Sequence, residues 1–430
     1  TNHLRYVYCQ TKVCISQIFI RETVIKEFIY ESLRRKDSRI CYYRKTFVIS
    51  NHTCHLHHII ICIQHMSKQV ISQNYTQRTC SRMYRIQAYS YFHTFGTVSQ
   101  NLNLLEQEGL IERNGYFEST GGRKANAIQI VSDFRVSIGI GILKNMFHIT
   151  AVDLYGNAFY TDTIPLPYSD TPDYYKQVTD KVKEFIAVKQ YDEEKILGVS
   201  IATQGITSPD HTTVLYGNIM NNAGMKLDDF SRHLPYPCYL EHDSKSSAFL
   251  ELWNHPELDS AVVFLLNRNL GGAIITNHLI HQGSSMHSGT LEHMCINPDG
   301  PLCYCGNRGC LETYCSANSL EHAADMTVKE FFPLLREKKS PQLTQIWEDY
   351  LNHLAFAMKN LNLVIDAPII ISGYLAPYFT EEDIEYLAEH INASSPFALD
   401  RTHILVGTNG QYTPAIGAAL YYVEKFIQAV

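Results

Sequence analysis

The stretch GSSMHSGTLEHMCINPDGPLCYCGNRGCLETYCS, residues 283–316, carries the most specific pattern in this chain of 430 residues. It contains one histidine followed by three closely spaced cysteines: His293, Cys303, Cys305 and Cys310. Three thiolates and one imidazole form the donor set of a closed, tetrahedral structural zinc site. Gly306 and Gly309 let the chain fold back tightly between the cysteines, so that metal binding and local folding become one event. The spacing predicts a zinc loop over residues 293–310, in preference to unrelated buried cysteines.

The same stretch resembles the zinc signature of the ROK family (repressors, open reading frames and sugar kinases). That signature is a Gly-Glu-Ile-Gly-His motif followed by Cys-x-Cys-Gly-x-x-Gly-Cys-Leu-Glu, and the resemblance extends over residues 97–430. It implies an α/β protein with a duplicated actin-like ATPase (ribonuclease H-like) fold, with lobes at 131–245 and 246–430 and a ligand cleft between them. One branch of the family consists of sugar kinases. The other consists of transcription regulators with an N-terminal winged helix-turn-helix, which include xylose- and N-acetylglucosamine-type repressors.

Charge is distributed unevenly along the chain. Residues 1–130 carry 17 Lys and Arg against 8 Asp and Glu, a net charge of +9, whereas the remaining residues carry −16. A basic N-terminal part followed by an acidic remainder is typical of a polyanion-binding domain joined to a larger domain. The 12 cysteines lack the regular spacing of a disulfide scaffold, which favours a reducing cytoplasm, and no run of about twenty apolar residues predicts a membrane span.

Residues 1–65 have an unusual composition, with no Gly, Ala or Pro. Average usage of about 7% Gly and 5% Pro predicts roughly eight residues of those two types alone. We interpret this segment as an atypical extension that is not native coding sequence, with an ordinary protein start at Met66. Its His and Cys residues are spaced too irregularly to predict a second metal site.

Residues 97–130 predict the second half of a winged helix-turn-helix domain that spans 66–130. Thr97 is a predicted N-cap, Gly109 a predicted helix end, and the segment after it alternates as a β-hairpin does. The candidate DNA contacts lie on the polar helix face and at the wing tip: Ser99, Gln100, Asn103, Arg123 and Lys124. Polar side chains on such a helix can read base edges in the major groove, and a basic tip can enter the minor groove. The segment 83–96 is too short for the two preceding helices that the family has, which predicts an incomplete first half.

The ATP-binding motifs of the family's kinases can be compared with this sequence to decide between the two branches. Kinases of the family cradle ATP with Asp-x-Gly-Gly-Thr where residues 141–145 read GILKN, and with a triple glycine where 372–379 read SGYLAPYF. The glycine-rich second loop keeps only Gly271 and Gly272. Side chains at these positions would obstruct a phosphate that must lie against bare backbone. We therefore expect no kinase activity, with Asp243 as a vestigial catalytic base.

This sequence matches the family more closely at the positions that bind sugar than at those that bind ATP. The resemblance implies five sugar contacts: His242, Asp243, Thr290, His293 and Glu312. Two of them depart from the family, because His242 stands for the Asn of an Asn-Asp pair and Thr290 for the glutamate of Gly-Glu-Ile-Gly-His. These departures predict a sugar other than an ordinary hexose, or weaker binding.

Together these patterns predict a sugar-responsive transcription regulator of carbohydrate metabolism, with a monosaccharide or derivative as effector and a double-stranded DNA operator as partner. Closure of the cleft would shift the spacing of two DNA-binding heads in a homodimer or homotetramer. Two alternatives stay open at this stage. One is a ROK sugar kinase with divergent phosphate loops, and the other is a decayed gene product that folds without either activity.

Overall fold

The computed structural model of the chain describes residues 95–116 and 126–429. These divide into two compact units, of which the larger is Ser132–Lys425. The predicted extension 1–65, the shortened segment before the helix and the wing tip with Arg123 and Lys124 lie outside the described residues.

The smaller unit contains a helix followed by a two-stranded hairpin. Its elements are α1 (Phe95–Gln107), β1 (Ile111–Tyr116) and β2 (Asn126–Ile130). The helix ends as predicted: Gly109 has φ +80°, and the Leu110 amide donates to Leu105 O at 2.9 Å, which satisfies a terminal carbonyl. Leu105 and Leu110 are both buried. The prediction of Thr97 as N-cap is wrong, because the helix begins two residues earlier and Thr97 lies in its first turn.

The larger unit alternates strands and helices. Its strands are β3 (Val136–Ile142), β4 (Met146–Val152), β5 (Ala158–Pro165), β6 (Ile196–Thr203), β7 (Ile206–Thr207), β8 (Val214–Tyr216), β9 (Cys238–His242), β10 (Ala261–Leu266), β11 (Leu270–Thr276), β12 (Leu279–Ile280), β13 (Ile369–Ser372) and β14 (Ile404–Val406). Its helices are α2 (Pro172–Val188), α3 (Asp228–Ser231), α4 (Asp243–Asn254), α5 (Glu312–Cys315), α6 (Ala317–Ala324), α7 (Val328–Arg336), α8 (Pro341–Ile365), α9 (Glu381–Ser394) and α10 (Thr413–Ala429). Among these, no helix is long and apolar enough to span a bilayer.

Two five-stranded sheets repeat one strand order. The first is β5-β4-β3-β6-β9 and the second is β12-β11-β10-β13-β14. In each sheet the first three strands in sequence pair antiparallel and the last two add in parallel. We call the parts built on them the first and the second lobe. The repeated order confirms the predicted α/β fold with a duplicated architecture.

Each sheet is covered by apolar helix faces because its central strands are apolar on both sides. Strand β3, VSIGIGI, is buried along its whole length, and so is β10, AVVFLL. Helix α2 begins with Thr171, whose hydroxyl accepts from the Tyr174 amide, and turns Val178, Val182 and Phe185 to the first core. The long helix α8 contributes many side chains to the second core.

The last helix returns to the first lobe. Ser137 Oγ on β3 donates to Ala419 O at 2.6 Å, and Gly139 lies so close to Ala415 that a Cβ would overlap its carbonyl. Small residues on β3 thus permit close contact between strand and helix backbones. The predicted second lobe, 246–430, included this helix, and the structure corrects that assignment.

Candidate functional site

The four predicted metal ligands come together in one cluster. One donor atom from each of His293, Cys303, Cys305 and Cys310 lies within 4.8 Å of all the others. Cys305 Sγ and Cys310 Sγ are 3.7 Å apart, and Cys303 Sγ lies 3.9 Å from His293 Nδ1. Zinc–sulfur bonds of about 2.3 Å in a tetrahedron separate two sulfurs by roughly 3.8 Å, so this spacing fits zinc.

The loop backbone brings these donors together by a tight turn. The Gly306 amide donates to Cys303 O at 2.9 Å, and the Cys303 amide donates to Asn307 O at 2.8 Å. Gly306 has φ +90° and Gly309 has φ +67°, conformations that favour glycine. At Gly309 a Cβ would also collide with Asn297 O. The glycines in the motif are therefore required by the turn that collects the ligands.

The electrostatics of the cluster also fit a cation. Burial and the neighbouring sulfur of Cys305 raise the pKa of the Cys310 thiol to about 12. Burial lowers the pKa of His293, which keeps its imidazole neutral. Neutral imidazole and deprotonated thiols are the forms that bind metal, and a divalent ion would stabilise the thiolates that burial disfavours.

A cavity of about 480 Å³, counting space open to solvent, lies between the two lobes beside this cluster. The first lobe supplies Gln204 and the segment 216–219 to its wall, and the second lobe supplies Asn269 and the turn 290–293. Tyr304 from the metal loop completes that side, and its ring contacts the His293 ring at 5.3 Å between centroids. The metal loop thus forms part of the cavity wall.

His242 and Asp243 lie together in the wall, at the junction of β9 and α4. Both are 8% exposed, and His242 Nε2 is 3.3 Å from Asp243 Oδ1. Burial, with a smaller contribution from the Lys245 charge, lowers the pKa of His242 to about 3, and burial raises the pKa of Asp243 to about 7. His242 is therefore a neutral side chain beside this carboxyl group, whose Oδ1 accepts a hydrogen bond from Ser244 Oγ at 3.3 Å.

Two other predicted sugar contacts also line the cavity, and one does not. Thr290 precedes the 3-10 turn Leu291–His293, His293 ends it, and both line the cavity. Glu312 lies one layer behind: its oxygens accept from Asn269 Nδ2 at 2.8 Å and from the Leu270 amide at 2.6 Å. Because Asn269 lines the cavity, Glu312 supports the wall through that side chain.

Sequence reasoning missed several wall residues. Glu292 lies inside the quoted motif, two positions after Thr290. A carboxylate at that position was the signal in the sequence that could have identified it as a residue of the cavity wall. It is 8% exposed, and its Oε2 has no hydrogen-bond partner among the described residues. Tyr216 ends the β7–β8 hairpin and Asn218 follows it, in a segment that no motif marked.

In two of the segments that correspond to kinase phosphate loops, a backbone amide donates a hydrogen bond to another group of the protein. The Leu143 amide donates to Met146 O at 3.0 Å, closing the β3–β4 turn. The Tyr374 amide donates to Asn267 Oδ1 at 2.7 Å, and Leu375 is fully buried.

The two retained glycines are explained by packing. A Cβ at Gly271 would meet Ser244 Oγ, and one at Gly272 would meet the Leu291 side chain. Both residues lie within strand β11, so their small size serves contact between the strand and its neighbours.

The candidate DNA contacts of the smaller unit are partly described. Gln100 and Asn103 are exposed on α1, as expected for the polar face. Asn103 Oδ1 accepts from an Arg113 side-chain nitrogen at 2.9 Å, and Arg113 also pairs with Glu106 at 2.9 Å. Base contact by Asn103 would therefore exchange one hydrogen bond for another, whereas the Gln100 side chain has no hydrogen bond to give up within the described part of the chain.

The ROK family model matches residues 135–425, and this chain belongs to that family. A xylose repressor of Caldicellulosiruptor bescii is 23% identical over 322 residues, which cover 70% of this chain and 80% of that repressor. The DNA-binding transcriptional dual regulator NagC of Escherichia coli is 26% identical over 231 residues, covering 52% of this chain and 56% of NagC. The chain thus aligns with little more than half the length of NagC.

Solved structures agree with the fold. A ROK family transcriptional regulator, a homologue of the E. coli MLC protein, superposes with a TM-score of 0.61 at 16% identity, over 78% of this chain and 89% of the regulator. The ROK glucokinase of Streptomyces griseus, solved with glucose and AMPPNP, gives a TM-score of 0.56 at 20% identity, over 66% of this chain and 98% of the kinase. At such identities the likeness establishes the actin-like kinase-type fold, which both branches share.

Proposed function

We propose that the chain is a cytoplasmic, sugar-responsive transcription regulator, most similar in role to the repressors among its relatives. One observation carries this proposal: the inter-lobe cavity keeps polar side chains suited to sugar hydroxyls, while the amides of Leu143 and Tyr374 are engaged within the protein. A site that binds sugar without a place for phosphate suits a sensor. A thermal-shift screen against monosaccharides, with and without Mg-ATP, tests it, and stabilisation only by both together would contradict it.

In this proposal His242, Asp243, Thr290 and His293 contact the sugar, and Glu312 positions Asn269. Sugar that contacts both lobes favours the closed cleft, because it binds that state more tightly. A homodimer or homotetramer would transmit closure as a change in the spacing of two DNA-binding heads. The four-ligand cluster would hold one structural zinc, whose role is to fix the loop that supplies His293 and Tyr304 to the cavity.

A ROK sugar kinase is the second candidate, and the retained Asp243 favours it. The expected result, however, is that no monosaccharide stimulates ADP release, because the Leu143 and Tyr374 amides are already bonded within the protein and side chains stand where the phosphate loops need glycine. A coupled assay with Mg-ATP and a panel of hexoses and pentoses measures this directly. Turnover of about 1–100 per second, the usual range for kinases, would contradict the regulator proposal and support the kinase proposal.

The DNA-binding proposal rests on α1 and its hairpin. Gln100→Ala is expected to relax specificity at one base pair at a cost of about 1–3 kcal/mol, and Arg123→Ala to weaken binding most at A·T-rich flanks. Fluorescence anisotropy on selected operator fragments measures both, with Arg232→Ala, an exposed arginine of the first lobe, as a control. We also expect weaker binding than by a chain with a full helix pair ahead of Thr97. Tight specific binding unchanged by Arg123→Ala would mean that another surface reads DNA.

A further inference from the structure

Glu292 is a buried carboxylate that the proposed sugar site does not yet explain. It is 8% exposed, lines the cavity, and leaves Oε2 without a hydrogen-bond partner among the described residues. In the family motif the equivalent position is a glycine, so the carboxylate is a feature of this chain. An unpaired buried carboxylate is costly to maintain and is expected to meet a partner when the site is filled.

Among the described residues, no positively charged side chain is available as that partner. The side chains whose charges act on Glu292 are Asp243, Glu312 and Cys305, all of them acidic. Neither Lys nor Arg is found among the described residues that line the cavity. Lys245 is buried nearby, but its Nζ donates to Gln282 Oε1 and to Met286 O. A zinc ion bound by three thiolates and an imidazole would leave a net charge of −1, and so would not supply the missing charge.

The rest of the wall is neutral. Gln204, Asn218 and Thr290 offer amide and hydroxyl groups, and Tyr216 and Tyr304 offer aromatic faces. Amides and hydroxyls bind sugar hydroxyls, while aromatic faces accept both the apolar side of a pyranose ring and a nearby cation. A phosphorylated or carboxylated sugar would instead add negative charge beside two carboxylates.

We propose that the effector is an amine-bearing monosaccharide, whose ammonium group is held by Glu292 with Asp243 close enough to share its charge. This inference rests on the proposed sugar-sensing function and specifies its ligand class. The ammonium supplies three donors and one positive charge, and Glu292 Oε2 is an acceptor that otherwise has no partner among the described residues. Glu292 is then the residue that sets specificity, in a position where the family's own motif has no side chain.

The test is calorimetric titration of the full, zinc-loaded chain at neutral pH. The probes are glucosamine, galactosamine and mannosamine, each compared with its N-acetyl and its parent neutral sugar. For the stereoisomer that binds best, the amine is expected to bind at least about 10-fold more tightly than both counterparts. Glu292→Gln should abolish that preference while keeping zinc content and without lowering the thermal midpoint, and Glu257→Gln, an exposed carboxylate, should preserve it.

The outcomes separate the two proposals. A neutral or N-acetyl sugar that binds as tightly as its amine overturns this inference and leaves the sugar sensor standing. An amine preference that survives both Glu292→Gln and Asp243→Asn also overturns it. If no sugar in the panel binds, the sensor proposal fails together with the inference. The comparison of ligands on the unmodified chain decides the matter even if the variants do not fold.

Discussion

Cys305→Ser is expected to reduce the zinc content of the purified chain from one equivalent to near zero. The residue is only partly buried, so the change removes a ligand without opening the core. A structural zinc contributes its binding free energy to folding, and for a unit of this size loss of about 3 kcal/mol would lower the unfolding midpoint by roughly 5 °C. Elemental analysis and thermal unfolding, with protein purified without chelator, measure both effects.

Cys295→Ser is the matched control, because Cys295 is an exposed thiol outside the four-ligand cluster. It should keep full zinc and an unchanged midpoint. Cys315 is also outside the cluster but fully buried, so its replacement would confuse metal loss with core damage. A wild-type chain without zinc, or a Cys305→Ser variant that retains it, would contradict the zinc proposal.

Zinc removal should also weaken sugar binding. His293 is both a predicted ligand and a cavity residue, and Tyr304 stands between two of the ligands. A loop that has lost its metal no longer holds these side chains in place. Chelated wild type and Cys305→Ser should therefore show the same loss of affinity in a titration with whichever sugar binds the loaded chain.

The metal cluster could be predicted from sequence because it is local. All four ligands lie within residues 293–310, and the glycines between them identify the turn. The helix end at Gly109 was predictable for the same reason, since one glycine in the left-handed region sets it. The continuous apolar character of β3, which buried parallel strands share, is also a local signal.

The cavity wall could not be predicted, because it is assembled from distant segments. Tyr216 and Asn218 reach it from a segment of the first lobe, more than seventy residues before the turn that carries Glu292. Glu312 was assigned to the sugar from its motif, yet its carboxylate is engaged by the Leu270 amide and Asn269. The return of α10 to β3 depends on small residues meeting across the fold, which spacing along the chain does not reveal.

Asp243→Asn is expected to stabilise the sugar-free chain at alkaline pH. Burial raises the pKa of Asp243 to about 7 from an ordinary value of 3.8, so the folded state holds a proton that the unfolded state has released. The carboxyl therefore supports folding fully below pH 3.8, and this contribution is lost as pH rises towards 7. Above pH 7 the full penalty of a buried charge remains, up to about 4 kcal/mol.

The amide carries no such penalty, so the stability difference between variant and wild type should grow with pH. Between pH 5 and 6 we expect a slope of about 1.4 kcal/mol per pH unit, which falls to about half at pH 7 and then gives way to a plateau. Denaturant unfolding of both chains at several pH values measures it, and any fixed cost of altered hydrogen bonds cancels in the slope. Asp210→Asn is the control: Ser208 donates to its carboxylate and lowers its pKa, so its difference should not vary above about pH 5.

A flat difference for Asp243→Asn across this range would mean that the carboxylate is solvated and that the cavity is open in solution. The same variant is expected to bind sugar more weakly, because it loses the negative charge that faces the cavity. Gain of stability with loss of binding would mark Asp243 as a residue retained at a cost to folding, as binding sites require. A purely structural aspartate would not produce that pair of effects, because its replacement would lower stability at every pH.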